Sequence, residues 1–315
     1  MKINLKNWEN YLIFAAVLSA EKKAYVELHI AVLLFGFTAI LGDLISLSAV
    51  ELVWYRVLIA GISFLFFFRV RNTLKKMPRE LVLKYLGIGA IAALHWVTFF
   101  GAIKLANASV ALVCLATTSF MTSIMEPIIV KRPFYWYETA LSILIIPGMV
   151  LIVQSLEADF YLGMIVGFIS AFLAATFGIL NKKMITRSDP LTISAIEMGG
   201  AYLFISILLL ILLGTGNTVN LNPSFSDWIY ILVLALLCTT LAYALSLKAL
   251  NHLSAFATAL TINLEPIYGI LLAIVILKDH HELSTQFYIG GAMILLAVFS
   301  YPVVNKRFRK KTYSS

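Results

Sequence analysis

The sequence predicts an all-α membrane protein of ten transmembrane helices, built as two inverted five-helix repeats. Composition is the first reason. Of 315 residues, 61% are hydrophobic and 13% charged, whereas soluble domains carry about a quarter charged residues. Ten spans of about 20 residues each would take roughly two-thirds of the chain, which that apolar fraction can supply. Duplication is the second reason. The segment Ile88 to Lys131 returns without a gap as Ala235 to Lys278, so that IKLANASVALVCLATTSFMTSIMEPIIVK lies over LNHLSAFATALTINLEPIYGILLAIVILK. Each copy closes an apolar hairpin and is followed by one further apolar span, and counting upstream gives five per half. An odd number of crossings inserts the second half upside down relative to the first.

The first repeat, 28–155, holds spans at about 28–47, 50–68, 82–103, 108–130 and 137–155. The second, 161–304, holds spans at about 161–181, 190–213, 228–249, 253–276 and 285–304. Residues 1–27 form an N-terminal cytoplasmic or interfacial segment and 305–315 a basic cytoplasmic tail. Asp189-Pro190 opens the seventh span, Pro133 precedes the fifth, and Asn222-Pro223-Ser224 marks the longest loop. Phe134 to Tyr137, Phe160-Tyr161, Trp228 and Tyr230 stand where membrane interfaces are expected.

Lys and Arg resist translocation and collect in short cytoplasmic loops. With ten spans and both termini cytoplasmic, all but three of the 24 basic residues fall inside: Arg56 lies within a span, and Lys104 and Lys278 fall outside. Nine or eleven spans would erase that bias. The net charge of +8 is thus a topology signal, the lipid bilayer is the partner it implies, and no nucleic-acid partner is read from it. Lys2 and Lys6 followed by Tyr11 to Ala20 look like a signal peptide. The run is broken by Trp8-Glu9-Asn10, and cleavage would leave the new end on the outer side, so an uncleaved interfacial segment is expected. Cys114 and Cys238 sit alone in mid-span, with no disulfide or thiolate-metal spacing.

Tyr55-Arg56 in the second span, Leu264-Glu265-Pro266 in the ninth and Gly290-Gly291-Ala292 opening the tenth resemble the EamA-type members of the drug/metabolite transporter superfamily. The resemblance covers about 28–304. It implies a basket-shaped helical bundle with a central cavity that moves small metabolites, often outward, across the inner membrane. Thr118-Ser119 stands where the family commonly has a small residue and proline, and Phe35-Gly36 where Trp-Gly is frequent. Substrate identity therefore does not carry over.

An ionisable side chain at mid-membrane costs about 2.5–3.5 kcal/mol on insertion scales, so those that remain face a cavity or a partner. Arg56, Glu126, Glu197 and Glu265 qualify. Aligning Ser48-Ala49 with Asp189-Pro190 makes Arg56 the repeat mate of Glu197, at mirrored depths and not directly paired. Glu265 lies mid-span with Thr258, Thr261 and Tyr268 on one helical face; the mates of that stripe are Ala111, Cys114, Thr118 and Met121. Glu265 is expected either to meet a cationic substrate group or to carry a proton, against a helix-gluing role. Pro266 should leave the Ile262 carbonyl without its helical donor. Glu126 lies one turn from Lys131 and Arg132 and reads as a snorkelling interfacial pair. For Glu197 the structural alternative is a contact to Lys182 or Arg187; for Arg56, a bond to helix-end carbonyls, Asp43 or Glu51.

His95-Trp96 can face the cavity, His95 as a pH-sensitive donor and Trp96 as a platform for a cation or apolar body. Trp96 aligns with Tyr243, which puts a large aromatic at one depth in both repeats. Asn263 points away from Glu265 on the same helix and should bond a neighbouring helix. Asp279-His280-His281-Glu282 reads as a solvated loop, with no metal site. Gly163-x-x-x-Gly167, Gly87, Gly89, Ala90 and Ala93 suit close helix contacts, in the bundle or in a homodimer. No nucleophile elbow, phosphate loop or His-Glu-x-x-His occurs, so no catalytic residues, cofactor or metal are expected. The sequence reads as an inner-membrane secondary transporter, exporting a small metabolite such as an amino acid or related compound by rocking one repeat against the other, with Glu265 as the proton-coupling candidate. The alternatives are a non-transporting scaffold or sensor and an intramembrane enzyme acting on lipid head groups.

Overall fold

The computed structural model describes residues 5–152, 161–268 and 285–312, and every regular element among them is helical. Helix α1 (Leu5–Leu44) runs without a break through the expected end of the N-terminal segment, and its apolar stretch is Ala20–Leu44. Helix α2 (Ala49–Leu65) begins where the Ser48 N–H donates to the Glu51 carboxylate at 3.0 Å, which satisfies one of the orphan donors of a helix start. The chain then bends by 90° into α3 (Phe68–Lys76), which buries only Val70 and carries Arg69, Arg71, Lys75 and Lys76. The span expected at 50–68 therefore ends early.

Helices α4 (Arg79–Leu105) and α5 (Ala108–Val130) form the hairpin of the first copy, with the Asn107 side chain capping α5 through the Val110 N–H at 2.8 Å. Helix α6 (Trp136–Ile152) follows. The second half opens with α7 (Tyr161–Met184) and α8 (Pro190–Gly214), the latter capped by Asp189 with Pro190 in the first turn, where its missing N–H costs nothing. Helix α9 (Phe225–Ala235) passes through a π-helical turn, Leu236–Leu241, into α10 (Ala242–Leu250). Helix α11 (Ala255–Ile262) stops at a turn over Asn263 and Leu264, helix resumes at Glu265, and α12 (Thr285–Thr312) is the last element.

Among the described residues seven helices are long and apolar enough to cross a membrane, eight if α2 and α3 count as one bent span. The expected count of ten is not reached there, for local reasons. Helix α6 is a shorter apolar helix, and the ninth expected span is broken at Asn263 and described only to Tyr268. Lys278 and the Asp279-His280-His281-Glu282 run lie outside the described residues.

The helices of the two repeats interleave. The most extensive contacts join α5 to α7, α4 to α7 and α8, α2 to α8, α6 to α12 and α1 to α10, each pair drawn from both halves. Two of these, α2 with α8 and α6 with α12, are repeat mates. Small residues allow the approach. A Cβ on Gly89 would collide with the Glu197 carbonyl, and one on Gly200 with the Leu86 carbonyl, so α4 and α8 touch backbone to backbone. Gly163 and Gly167 face Ala106 and Cys114, so this small-residue pair serves contacts inside the bundle. Gly89→Ala or Gly200→Ala should therefore lower stability by about 1–3 kcal/mol through overpacking. Gly199→Ala, with nothing within 4 Å of its added carbon, should be neutral or stabilising. Thermal unfolding of the three variants in one detergent checks this; equal midpoints would dismiss the close approach.

Candidate functional site

A cavity of about 1020 Å³, its open mouth included, lies where α1, α2, α4, α5, α7, α10 and α11 converge. It begins at mid-depth with Arg56, Trp96 and Glu265 and runs to Asn181, Leu250 and Ala255 at the end of the bundle that also holds Arg132. The opposite end is stitched by polar contacts. Lys104 donates to the Ile45 carbonyl at 2.7 Å, Ser46 donates to Asp227 from N–H (2.8 Å) and hydroxyl (2.7 Å), and the Tyr55 hydroxyl donates to the Leu221 carbonyl at 2.8 Å. Glu51 accepts from the Asn220 N–H.

Arg56 is 2% exposed. Its Nε donates to the Thr239 hydroxyl at 2.6 Å, and its guanidinium lies 4.6 Å from the centre of the Trp96 ring. Neither Asp43, Glu51 nor a helix-end carbonyl holds it, which corrects the sequence expectation. Helix α2 turns Arg56 inward toward the π-helical turn, whose widened backbone presents Thr239 while the Thr239 hydroxyl itself donates to the Leu234 carbonyl at 2.7 Å. Trp96 is a platform, but for Arg56 of this chain. Its repeat mate Tyr243 meets it edge-on with ring centres 5.9 Å apart, and both rings line the cavity. His95 lines it too, its Nδ1 shared between the Ser170 carbonyl (3.0 Å) and hydroxyl (2.9 Å) and its ring against Phe177.

Glu265 faces the cavity and takes no hydrogen bond or ion pair from the described residues. The break at Asn263 and Leu264 explains its position. Pro266 becomes the second residue of a new helical turn, where no N–H is needed, and the Leu264 carbonyl accepts from the Tyr268 N–H at 3.0 Å. The stripe expected on a continuous helix is therefore split. Thr258 and Glu265 line the cavity, Thr261 turns its hydroxyl to the Ala257 carbonyl at 2.8 Å, and Tyr268 meets His29 of α1 at 2.8 Å. Asn263 bonds Ser119 of α5 at 3.0 Å, yet the same break brings it onto the cavity wall beside Glu265. Thr118 lines the cavity with its hydroxyl 3.4 Å from the Ala171 carbonyl.

Glu197 stands one layer behind the wall. It contacts neither Lys182 nor Arg187; its carboxylate accepts from Tyr243 at 2.6 Å and from Asn181 at 3.4 Å, because Lys182 is drawn to the Leu250 carbonyl at 2.9 Å. Glu126 does pair with Arg132 at 2.9 Å, but at 1% exposure it is no snorkelling residue. It accepts the Ala255 and Phe256 N–H groups at 3.0 and 2.9 Å, capping α11 where the helix dipole favours an anion. Asn181 and Thr239 were not singled out from the sequence; each is a polar residue within an apolar span, the one signal that could have found them. Among the described residues no three His, Cys, Asp or Glu side chains gather to hold a metal.

Apolar helices from two halves interleaved around a largely apolar cavity that holds a few charged and polar side chains define a multi-pass membrane protein of the transporter class. The EamA-like transporter family matches residues 22–154 and again 161–301, one match on each repeat, and the chain belongs to that family. An uncharacterized transporter of Archaeoglobus fulgidus is 25% identical over 261 residues, spanning 81% of this chain and 88% of that protein. A crystal structure of another protein superposes with a TM-score of 0.72 at 14% identity, covering 92% of this chain and 98% of the other, a likeness of fold alone.

Proposed function

We propose that the chain exports a small metabolite, such as an amino acid or related compound, from the cytoplasm across the inner membrane by proton-coupled alternating access. One observation carries this reading: the carboxylate of Glu265, unpartnered among the described residues, and the buried guanidinium of Arg56 line the same cavity. A zwitterion can meet both charges there, and Glu265 can exchange its proton for the cationic group of the substrate. The basic-residue bias supports ten spans with both termini cytoplasmic, and in that orientation the cavity reaches toward the cytoplasm. Since the repeats interleave, the moving units are sets of helices drawn from both halves.

Counterflow in proteoliposomes tests the proposal, with vesicles loaded with amino acids, polyamines, nucleobases and quaternary amines and flux read by mass spectrometry. Wild type should move one compound class selectively, and Glu265→Gln should lose that flux together with its dependence on the pH gradient. A Glu265→Gln protein that keeps its full pH-gradient dependence would refute the coupling. No flux from a folded, inserted wild-type protein would favour a scaffold or sensor.

A further inference from the structure

A second carboxylate lies behind the cavity wall with an asymmetric set of partners. Glu197 is wholly buried on α8, at the turn where its carbonyl packs on Gly89 of α4. Both of its donors converge on Oε2: the Tyr243 hydroxyl at 2.6 Å and the Asn181 amide at 3.4 Å. That amide also reaches the Tyr243 oxygen at 3.3 Å. Oε1 of Glu197 and Oδ1 of Asn181 have no donor among the described residues, though both are buried. Buried acceptors are normally satisfied, and an ionised carboxylate can accept on both oxygens. Two donors on one oxygen and none on the other is the pattern of a carboxylic acid, in which one oxygen accepts as a carbonyl and the other carries the proton.

The surroundings agree with a neutral acid. No ion pair among the described residues includes Glu197. Tyr85 of α4 is within electrostatic reach, but its hydroxyl donates to the Met184 carbonyl at 3.0 Å. Of the cations on packed elements, Lys182 of α7 is held by Leu250, Arg69 of α3 lies 3.8 Å from Asp189 at the far start of α8, Arg187 is within electrostatic reach of Tyr85, and Arg56 of α2 lies over Trp96. Both groups that hold Glu197 also line the cavity, and Tyr243 touches the ring under Arg56.

We propose that Glu197, Asn181 and Tyr243 form a buried proton-binding site in the cavity wall, separate from Glu265. A proton from the cavity adds to Oε1, and its loss leaves an anion that draws Tyr243 and Asn181 into new positions on the wall. The use of this site in coupling rests on the transport reading; its existence does not. Infrared difference spectroscopy of the full chain in lipid nanodiscs, between neutral and alkaline buffer and without substrate, reads it directly. Wild type should show a protonated-carboxyl C=O band that disappears on the alkaline side. The band should be missing in Glu197→Gln, persist in Glu265→Gln and move to higher frequency in Tyr243→Phe, which removes a donor from the carbonyl oxygen. If Glu197→Gln fails to fold, the Tyr243→Phe shift decides alone. A band unchanged in Glu197→Gln or unmoved in Tyr243→Phe overturns the proposal. So does a band abolished by exchanging choline for sodium at fixed pH, which would make the site one for sodium. A chain that moves no metabolite still gives this spectrum, so the two readings fail separately.

Discussion

Arg132→Met is expected to destabilise the protein by about 3–5 kcal/mol, the cost of leaving buried charges without their counter-ion. Arg132 Nη2 donates to Glu126 at 2.9 Å and to Glu138 at 2.5 Å, and both carboxylates are 1% exposed. Through them it ties four elements together. Glu126 caps α11, Glu138 opens α6 and takes the hydroxyl of Tyr301 on α12 at 3.3 Å, and Arg132 follows α5. Burial works against the charge of Arg132, but the two carboxylates more than offset it and hold the guanidinium above its ordinary range. A base raised in this way contributes fully below its unfolded pKa, so no ordinary alkaline buffer removes the contribution. Loss of the arginine does, as does loss of a carboxylate by substitution or by protonation in acid. The triple variant Arg132→Met, Glu126→Gln, Glu138→Gln should recover most of the loss, since it leaves no unpaired charge. Thermal unfolding in nanodiscs reads both variants, and a loss below about 1 kcal/mol for the single change would reduce the network to a surface pair.

Apolar runs, the duplicated segment and basic-residue bias depend on composition and period, and these made the helical class and the two repeats legible. Pairwise repeat alignment also put Trp96 with Tyr243, and the two rings meet in the bundle. What escaped was non-periodic. Reading the ninth span as one helix put Thr261 and Tyr268 on the face of Glu265 and Asn263 opposite; two residues of turn at Asn263 and Leu264 rotate the frame and reverse three of those assignments. The π-helical turn had no sequence mark beyond Thr239 and Thr240, whose hydroxyls bond carbonyls five residues back. Glu126 was read from its nearest neighbours in the chain, whereas two of its three partners come from α11, 129 and 130 residues away. Long-range hydrogen bonds of this kind are a property of the packing, and interleaving of the two repeats decides them.

Arg56→Met should separate function from stability. Arg56 is a buried cation with no ion pair among the described residues: its Nε has Thr239, its face has Trp96, and its Nη1 has no partner. An arginine at mid-membrane costs about 2.5–3.5 kcal/mol on insertion scales, while one hydrogen bond to it returns about 1.5–3 kcal/mol and the ring contact about 0.5–2 kcal/mol. These terms nearly cancel. The methionine variant, which fills much of the same volume, should therefore unfold within about 1–2 kcal/mol of wild type, and Thr239 keeps its bond to Leu234. Transport should nevertheless fall by at least about tenfold, the effect of losing one charge-assisted contact of about 1.4 kcal/mol or more. Arg56→Lys should not rescue it, because a lysine keeps the charge but neither stacks flat on Trp96 nor donates from a rigid fork to Thr239 and a substrate together. Counterflow and thermal unfolding on the same preparations test this. Full flux in Arg56→Met would make the arginine architectural, and a collapse of stability with it would show that the cavity is held open by this side chain.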